Sequence, residues 1–313
     1  MTFIDNMVNS TLRIVEVGPR DGLQNEAVIL SAHEKVELIR RLIGAGITRI
    51  EATSFVSPKA VPQMADAEIV MEGVDALPER GRASLIGLVL NERGVDRALA
   101  TSVDEINFAF VATDTFNKAN QGCTTFESIT DLERVANRGD RSMPMGVTIG
   151  AAFGCPFEGE VPVSRLVEVA KRVAEYGPDE ITLGDSIGVA SPWDVTERVA
   201  AVRAAVGSVP IRCHFHNTRN TGLANAYAAV AAGVHRLDSS IGGIGGCPFA
   251  PRATGNIPTE DLVYMLDRAH LANDISISAL IETAQWVQAR LNRSLPGMVM
   301  KAGPFPESAS DAA

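Results

Sequence analysis

Three groups of residues in this sequence could do chemistry together. His214 and His216 stand two apart in IRCHFH. On an extended strand such side chains share one face, so both imidazoles can meet a single cation. Arg20 and Asp21 are adjacent in VGPRDGLQNE. They offer a carboxylate for that cation and a guanidinium for a developing oxyanion or a substrate carboxylate. Glu51 in ITRIEAT and Asp185 in LGDSIG add two carboxyls, and Cys247 and Asn256 lie in or beside a glycine-rich stretch, SIGGIGGCPFAPRATGN. Two ring nitrogens with oxygen donors suit a divalent ion that accepts both, such as Mn2+, Mg2+ or Zn2+. A thiol on a glycine-rich loop could transfer a proton if its pKa were tuned. The plainer reading is a small buried apolar cysteine, the commonest fate of a free thiol. The GGIGG run opens no helix, so it is not a dinucleotide fingerprint, and the chain has no phosphate-binding loop motif.

For these residues to meet, the chain must bring distant segments to one place. Short β-rich runs occur at 12–17, 47–53, 83–90, 105–112, 145–152, 180–184, 211–216 and 235–240. Several are continuously apolar, as expected of parallel strands covered on both faces. Helical patterns lie between them, for example over 33–46 and 163–177, with Gly44, Gly46 and Gly177 where such helices would end. Eight alternations predict an α/β fold, one (β/α)8 TIM barrel with additional C-terminal helices. A doubly wound open sheet is the alternative, but it would not gather the candidate residues. In a barrel they fall at strand ends: Arg20 and Asp21 after strand 1, Glu51 closing strand 2, Asp185 ending strand 6, His214 and His216 ending strand 7, Cys247 and Asn256 after strand 8. Residues 1–313 read as a single barrel domain, with a helical extension over about 258–295 and a flexible, solvated tail over 304–313.

Composition narrows the partners. The chain has 313 residues, is 46% hydrophobic, and carries 28 Lys+Arg against 38 Asp+Glu, a formal net charge of −10. That length can bury a substantial core, and the acidic balance disfavours nucleic acid and anionic membranes as partners. No apolar run approaches the roughly 20 residues a membrane span needs. The four cysteines form no CxxC pair and read as free thiols. With no secretory or transit segment at the N-terminus, the protein is expected to be cytoplasmic.

The segments VEVGPRDGLQNE, RIEATSFVSPKAVPQMAD, NKANQGC, GCPFEGEV, TLGDSIGV, HFH and DSSIGGIGGCPFAPRATGNIPTEDLVYML span nearly the whole chain. Through them the sequence resembles the 3-hydroxy-3-methylglutaryl-CoA lyase family, within the metal-dependent (β/α)8 lyases and acyl-CoA-condensing synthases. The resemblance implies that Asp21, His214, His216 and Asn256 hold a divalent cation, Mg2+ or Mn2+ before Zn2+. It implies that Arg20 stabilises an enolate, that Asp185 and Cys247 are the acid/base groups, and that Glu51, Glu260 and Gln24 support the site. The implied reaction is retro-aldol (Claisen-type) cleavage of 3-hydroxy-3-methylglutaryl-CoA to acetyl-CoA and acetoacetate. Citramalyl-CoA is the alternative substrate, and an acetyl-CoA-dependent condensing synthase the more distant alternative. An acyl-CoA is thus the expected partner, and a homodimer the expected assembly. Two places depart from the family's pattern. After HFH the chain reads NTRNTG, which sets Asn217, Arg219 and Asn220 beside the metal ligands. Arg252 replaces a small residue, where it is either an extra cation for CoA phosphates or a different acyl carboxylate, or a surface arginine.

Overall fold

The structure, a computed structural model, describes residues 12–246, 255–271 and 274–306. Its strands are β1 (Arg13–Glu16), β2 (Arg49–Ser54), β3 (Ser84–Val89), β4 (Glu105–Val111), β5 (Met145–Gly150), β6 (Glu180–Asp185), β7 (Ile211–Phe215) and β8 (Arg236–Ser239). All eight run parallel and pair in chain order, with β1 closing the barrel between β2 and β8. The open sheet is thereby excluded. After β5 the chain forms a small antiparallel ribbon, Gly154–Cys155 with Gly159–Glu160.

The helices are α1 (Ala32–Gly44), α2 (Ala67–Asp75), α3 (Glu92–Leu99), α4 (Asp114–Gln121), α5 (Thr125–Ala136) and α6 (Val163–Ala174). They continue as α7 (Pro192–Val206), α8 (Gly222–Ala231), α9 (Thr259–Asp267), α10 (Ile277–Leu291) and α11 (Val299–Ala302). Their starts are written in the sequence. Ser31 with Glu34, Thr124 with Glu127 and Ser191 with Asp194 form capping boxes that satisfy the first orphan N–H groups. Helix α9 takes the place after β8, and α10 packs on α1, α9 and the turn Ile241–Gly243. Residues 307–313 of the expected tail lie outside the described residues. Among the described residues no helix is long and apolar enough to cross a membrane.

Side-chain alternation divides each strand between two environments. Ile181, Leu183, Cys213, Phe215 and Leu237 face outward into the apolar layer beneath the helices. The inward positions are mostly polar. Arg49 on β2 reaches Glu180 on β6 across the lumen, at 2.6 Å, and Asn107 on β4 reaches Glu51 on β2. Strand β2 runs on to Ser54, so Glu51 does not close it. It points into the barrel just before a register irregularity between Glu51 and Thr53.

Candidate active site and metal centre

β1 ends at Glu16, and the chain then makes a single π-helical turn, Gly18–Gly22. Two glycines make room for it. A Cβ on Gly18 would lie 2.5 Å from Glu16 Oε1, and one on Gly22 would lie 2.6 Å from Ile244 Cγ1. The turn aims Arg20 and Asp21 over the barrel mouth. Arg20 Nη1 donates to Asp21 Oδ1 at 2.7 Å, while Nε and Nη2 donate to Glu51 Oε2 at 2.8 and 2.5 Å. Glu51 Oε1 accepts from Asn107 Nδ2 at 2.9 Å. The guanidinium is therefore fixed between two carboxylates.

Asp21, His214 and His216 converge, each offering a ligand atom within 4.8 Å of the others. Asn256 joins them: His216 and Asn256 form an isolated β-bridge, and Asn256 Nδ2 donates to Asp21 Oδ2 at 2.8 Å. The donor set fits a divalent cation, because Asn256 Oδ1 and His216 Nδ1 are buried yet have no hydrogen-bond partner. Electrostatics agree with that fit. Burial alone would raise the Asp21 carboxyl, but Arg20 and the two imidazoles outweigh it and hold it far below the usual carboxylate range. Burial, with His214 as neighbour, lowers His216 to about 4, so it presents a neutral ring with a free lone pair. Burial would also lower His214, but Asp238 and Asp21 outweigh it and the net shift is upward.

The other expected residues divide by position. Asp185 ends β6 fully buried, its two oxygens accepting N–H from Val189 and Ala190 at 2.9 and 3.0 Å. Burial raises its carboxyl in spite of those bonds. It holds the loop behind the cavity wall, while its neighbours Gly184 and Ser186 line the cavity. Gln24 lines the cavity near Arg20 and Asp21. Glu260 lies in the first turn of α9, where Oε2 accepts from Gly242 N–H at 2.9 Å, so it braces the turn at the start of the glycine-rich loop. Cys213 is buried in the outer layer, as its alternation requires. Cys247 and Arg252 lie outside the described residues. Of the unusual residues after HFH, Asn217 Oδ1 accepts from Gly222 N–H and Arg219 Nη1 donates to the carbonyls of Ile187 and Gly188. Neither lines the cavity. Arg219 ties the β6 and β7 loops together, while Asn217 braces its own loop.

The cavity at the C-terminal end of the strands measures about 1110 Å³. Asp21, His214 and His216 form part of its floor, and Asn107 and Thr148 form part of its wall. Sequence reading missed Asn107, Thr148 and Asp238. The available signal was a lone polar residue inside an apolar strand, as in EINFAFV and MGVTIG.

Comparison with known proteins matches this architecture. A family model described as HMGL-like matches residues 11–287. An (R)-citramalyl-CoA lyase from Chloroflexus aurantiacus is 44% identical over 95% of this chain and 96% of its own length. Hydroxymethylglutaryl-CoA lyase YngG from Bacillus subtilis is 38% identical over 90% of this chain and 94% of its own. Among solved structures, an HMG-CoA lyase from Acinetobacter baumannii in complex with coenzyme A and 3-methylmalate superposes with a TM-score of 0.90 at 36% identity, covering 98% of both chains. Barrel, site and sequence thus agree over nearly the whole length, and the chain belongs to the HMGL-like family.

Proposed function

We propose that this chain is a divalent-metal-dependent carbon–carbon lyase that cleaves 3-hydroxy-3-methylglutaryl-CoA to acetyl-CoA and acetoacetate. The observation that carries the reading is one cavity in which a fixed guanidinium, Arg20, adjoins the Asp21, His214 and His216 donor set. Asp21, His214, His216 and Asn256 would hold the cation, Mg2+ or Mn2+ before Zn2+, whose charge would lower the pKa of the substrate's tertiary hydroxyl. Arg20 faces the thioester oxygen, where negative charge develops as the carbon–carbon bond breaks. Glu51, braced by Asn107, keeps the guanidinium aimed. Asp185 and Cys247 are the proton-transfer groups, and Asp185 takes part only once its oxygens leave the Val189 and Ala190 N–H groups behind the cavity wall: one takes the hydroxyl proton, and one returns a proton to the enolate carbon of acetyl-CoA. The raised Asp185 carboxyl supports its share of that role. Gln24 and Arg252 act on the substrate side, and Glu260 holds the loop. The working form is a homodimer.

A second reading has a specific observation behind it, the 44% identity to a citramalyl-CoA lyase. Citramalyl-CoA has one methylene fewer between the carbinol carbon and the carboxylate and would yield pyruvate instead of acetoacetate. A one-methylene difference supports only about 10- to 200-fold discrimination. The deciding experiment ranks 3-hydroxyacyl-CoA esters by kcat/KM with Mn2+-loaded and metal-stripped protein. We expect 3-hydroxy-3-methylglutaryl-CoA to lead and the stripped protein to be inactive. Citramalyl-CoA leading would establish the second reading. Equal turnover without metal would overturn the mechanism.

A further inference from the structure

We propose that Asp238 is the positioning residue of the metal centre, acting through His214, and that a buried ion ladder inside the barrel holds Asp238 in place. His214 Nδ1 lies 3.1 Å from Asp238 Oδ2, while His214 Nε2 faces Asp21 at 3.9 Å. One imidazole nitrogen must carry the proton and the other the lone pair. A carboxylate at Nδ1 makes Nδ1–H the donor and leaves Nε2 bare toward the other ligands. His216 has no such carboxylate, since its Nδ1 has no hydrogen-bond partner. The two ligand rings therefore differ: Asp238 holds the His214 ring, whereas at His216 the bridge to Asn256 fixes the backbone only.

Asp238 is itself held from below. Its Oδ1 lies 3.3 Å from Arg212 Nε, which donates to Thr182 Oγ1 at 2.7 Å. Arg212 is only 1% exposed, and its Nη1 lies 3.2 Å from Glu180. Glu180 also meets Arg49 and Arg236 at 2.6 and 2.8 Å. These residues occupy successive inward positions, Arg212 and His214 on β7, Arg236 and Asp238 on β8, Glu180 and Thr182 on β6. A barrel lumen is more often filled by branched apolar side chains. Here alternating charges run from the floor to the metal ligands. Desolvated ions are costly unless paired, so these charges hold one another in place, the Asp238–Arg212 rung by ion pairing without a hydrogen bond. That rigidity orients a ligand to the tolerance a metal centre requires.

The inference rests on the metal reading above, so the test includes a readout that needs no metal. In metal-stripped full-length protein, 15N NMR of the histidine rings should show His214 protonated at Nδ1 in the wild type. Asp238→Ala should shift that population toward the Nε2–H tautomer and weaken Mn2+ binding by roughly 10- to 100-fold, measured by calorimetry. Asp238→Asn has the same shape and keeps an acceptor oxygen, so it should hold more of the Nδ1–H tautomer than the alanine variant. It also preserves the comparison if the alanine variant does not fold. A wild-type His214 with its proton on Nε2, or a tautomer that neither substitution moves, overturns the proposal. Wild-type protein that takes up no Mn2+ would overturn the metal reading, while the tautomer still decides whether Asp238 orients His214.

Discussion

At the scale of single residues, the site combines one fixed cation with several carboxyls whose protonation is set by burial. Arg20 has two carboxylate partners and little freedom. Replacing it leaves Asp21 and Glu51 without their guanidinium and removes the charge proposed to meet the enolate. Arg20→Gln should lower kcat by about 10²–10³-fold with a smaller change in KM, read from steady-state cleavage. Glu260 gives a separate prediction about pH. Burial pushes its carboxyl up to about 8, well above its ordinary range. A raised folded-state value means that the native protein binds the proton more tightly than the unfolded chain. The associated stability is therefore present below pH ~4.5 and lost as pH rises toward about 8. In urea titrations of metal-free protein, the wild type should lose a few kcal/mol, in order of magnitude, across that window. Glu260→Gln should flatten the decline, leaving the part due to Glu16, which burial raises to about 7. An equal slope in both proteins would contradict this account.

At the scale of elements, the site depends on loops pressed together at one end of the barrel. The π turn after β1 and the turn after β8 meet where Gly22 packs against Ile244 and Ser240. Asn25 Nδ2 donates to the Gly246 carbonyl at 2.8 Å, so the turn that carries Asp21 also anchors the glycine-rich loop. A methyl group at position 22 would lie within 2.7 Å of Ser240 Oγ as well as 2.6 Å from Ile244 Cγ1. Gly22→Ala should accordingly cost about 1–3 kcal/mol of stability. It should also weaken Mn2+ binding, because the displaced turn carries Asp21, one of the proposed ligands. Denaturation and metal titration of the same variant would check both effects. Arg219 makes a comparable tie between the β6 and β7 loops through the Ile187 and Gly188 carbonyls. That explains its place beside His214 and His216 without putting its charge in the cavity.

At the scale of the whole molecule, the barrel separates two kinds of cohesion. Outside the strands an apolar layer of Val, Ile, Leu and Phe packs beneath the helices. Inside, the lumen is joined by ion pairs centred on Glu180, which is 1% exposed and meets Arg49, Arg212 and Arg236. Burial would raise its carboxyl, but Arg212 and the other arginines outweigh that and lower it to about 2. Glu180→Gln would remove the carboxylate that Arg49, Arg212 and Arg236 share, leaving Arg49 with Glu105 and the buried Arg212 with Asp238. It should destabilise the protein by about 3–5 kcal/mol, measured by chemical denaturation. A loss below about 1 kcal/mol would mean that water or rearranged partners reach the floor. The molecule's net charge of −10 is no obstacle to an anionic thioester, because fixed cations such as Arg20 face the cavity.

Much of this was legible in the sequence, because local rules carry it. Strand and helix alternation gave the barrel, and the i, i+2 spacing of His214 and His216 placed both rings on one face. The resemblance brought Asn256 and Asp21 into the same group. Local pattern could not show that Glu51 lies inside the barrel, because β2 extends past it. Nor could it show that Asp185 turns its oxygens into its own loop, or that Asp238 meets His214. Those facts depend on which residues face one another across a closed sheet. Sequence by itself determined the periodicity, the element order and the residue types available for chemistry. Only the tertiary structure decided which polar side chains point inward and meet, since barrel closure and register bring together groups from strands far apart in the chain.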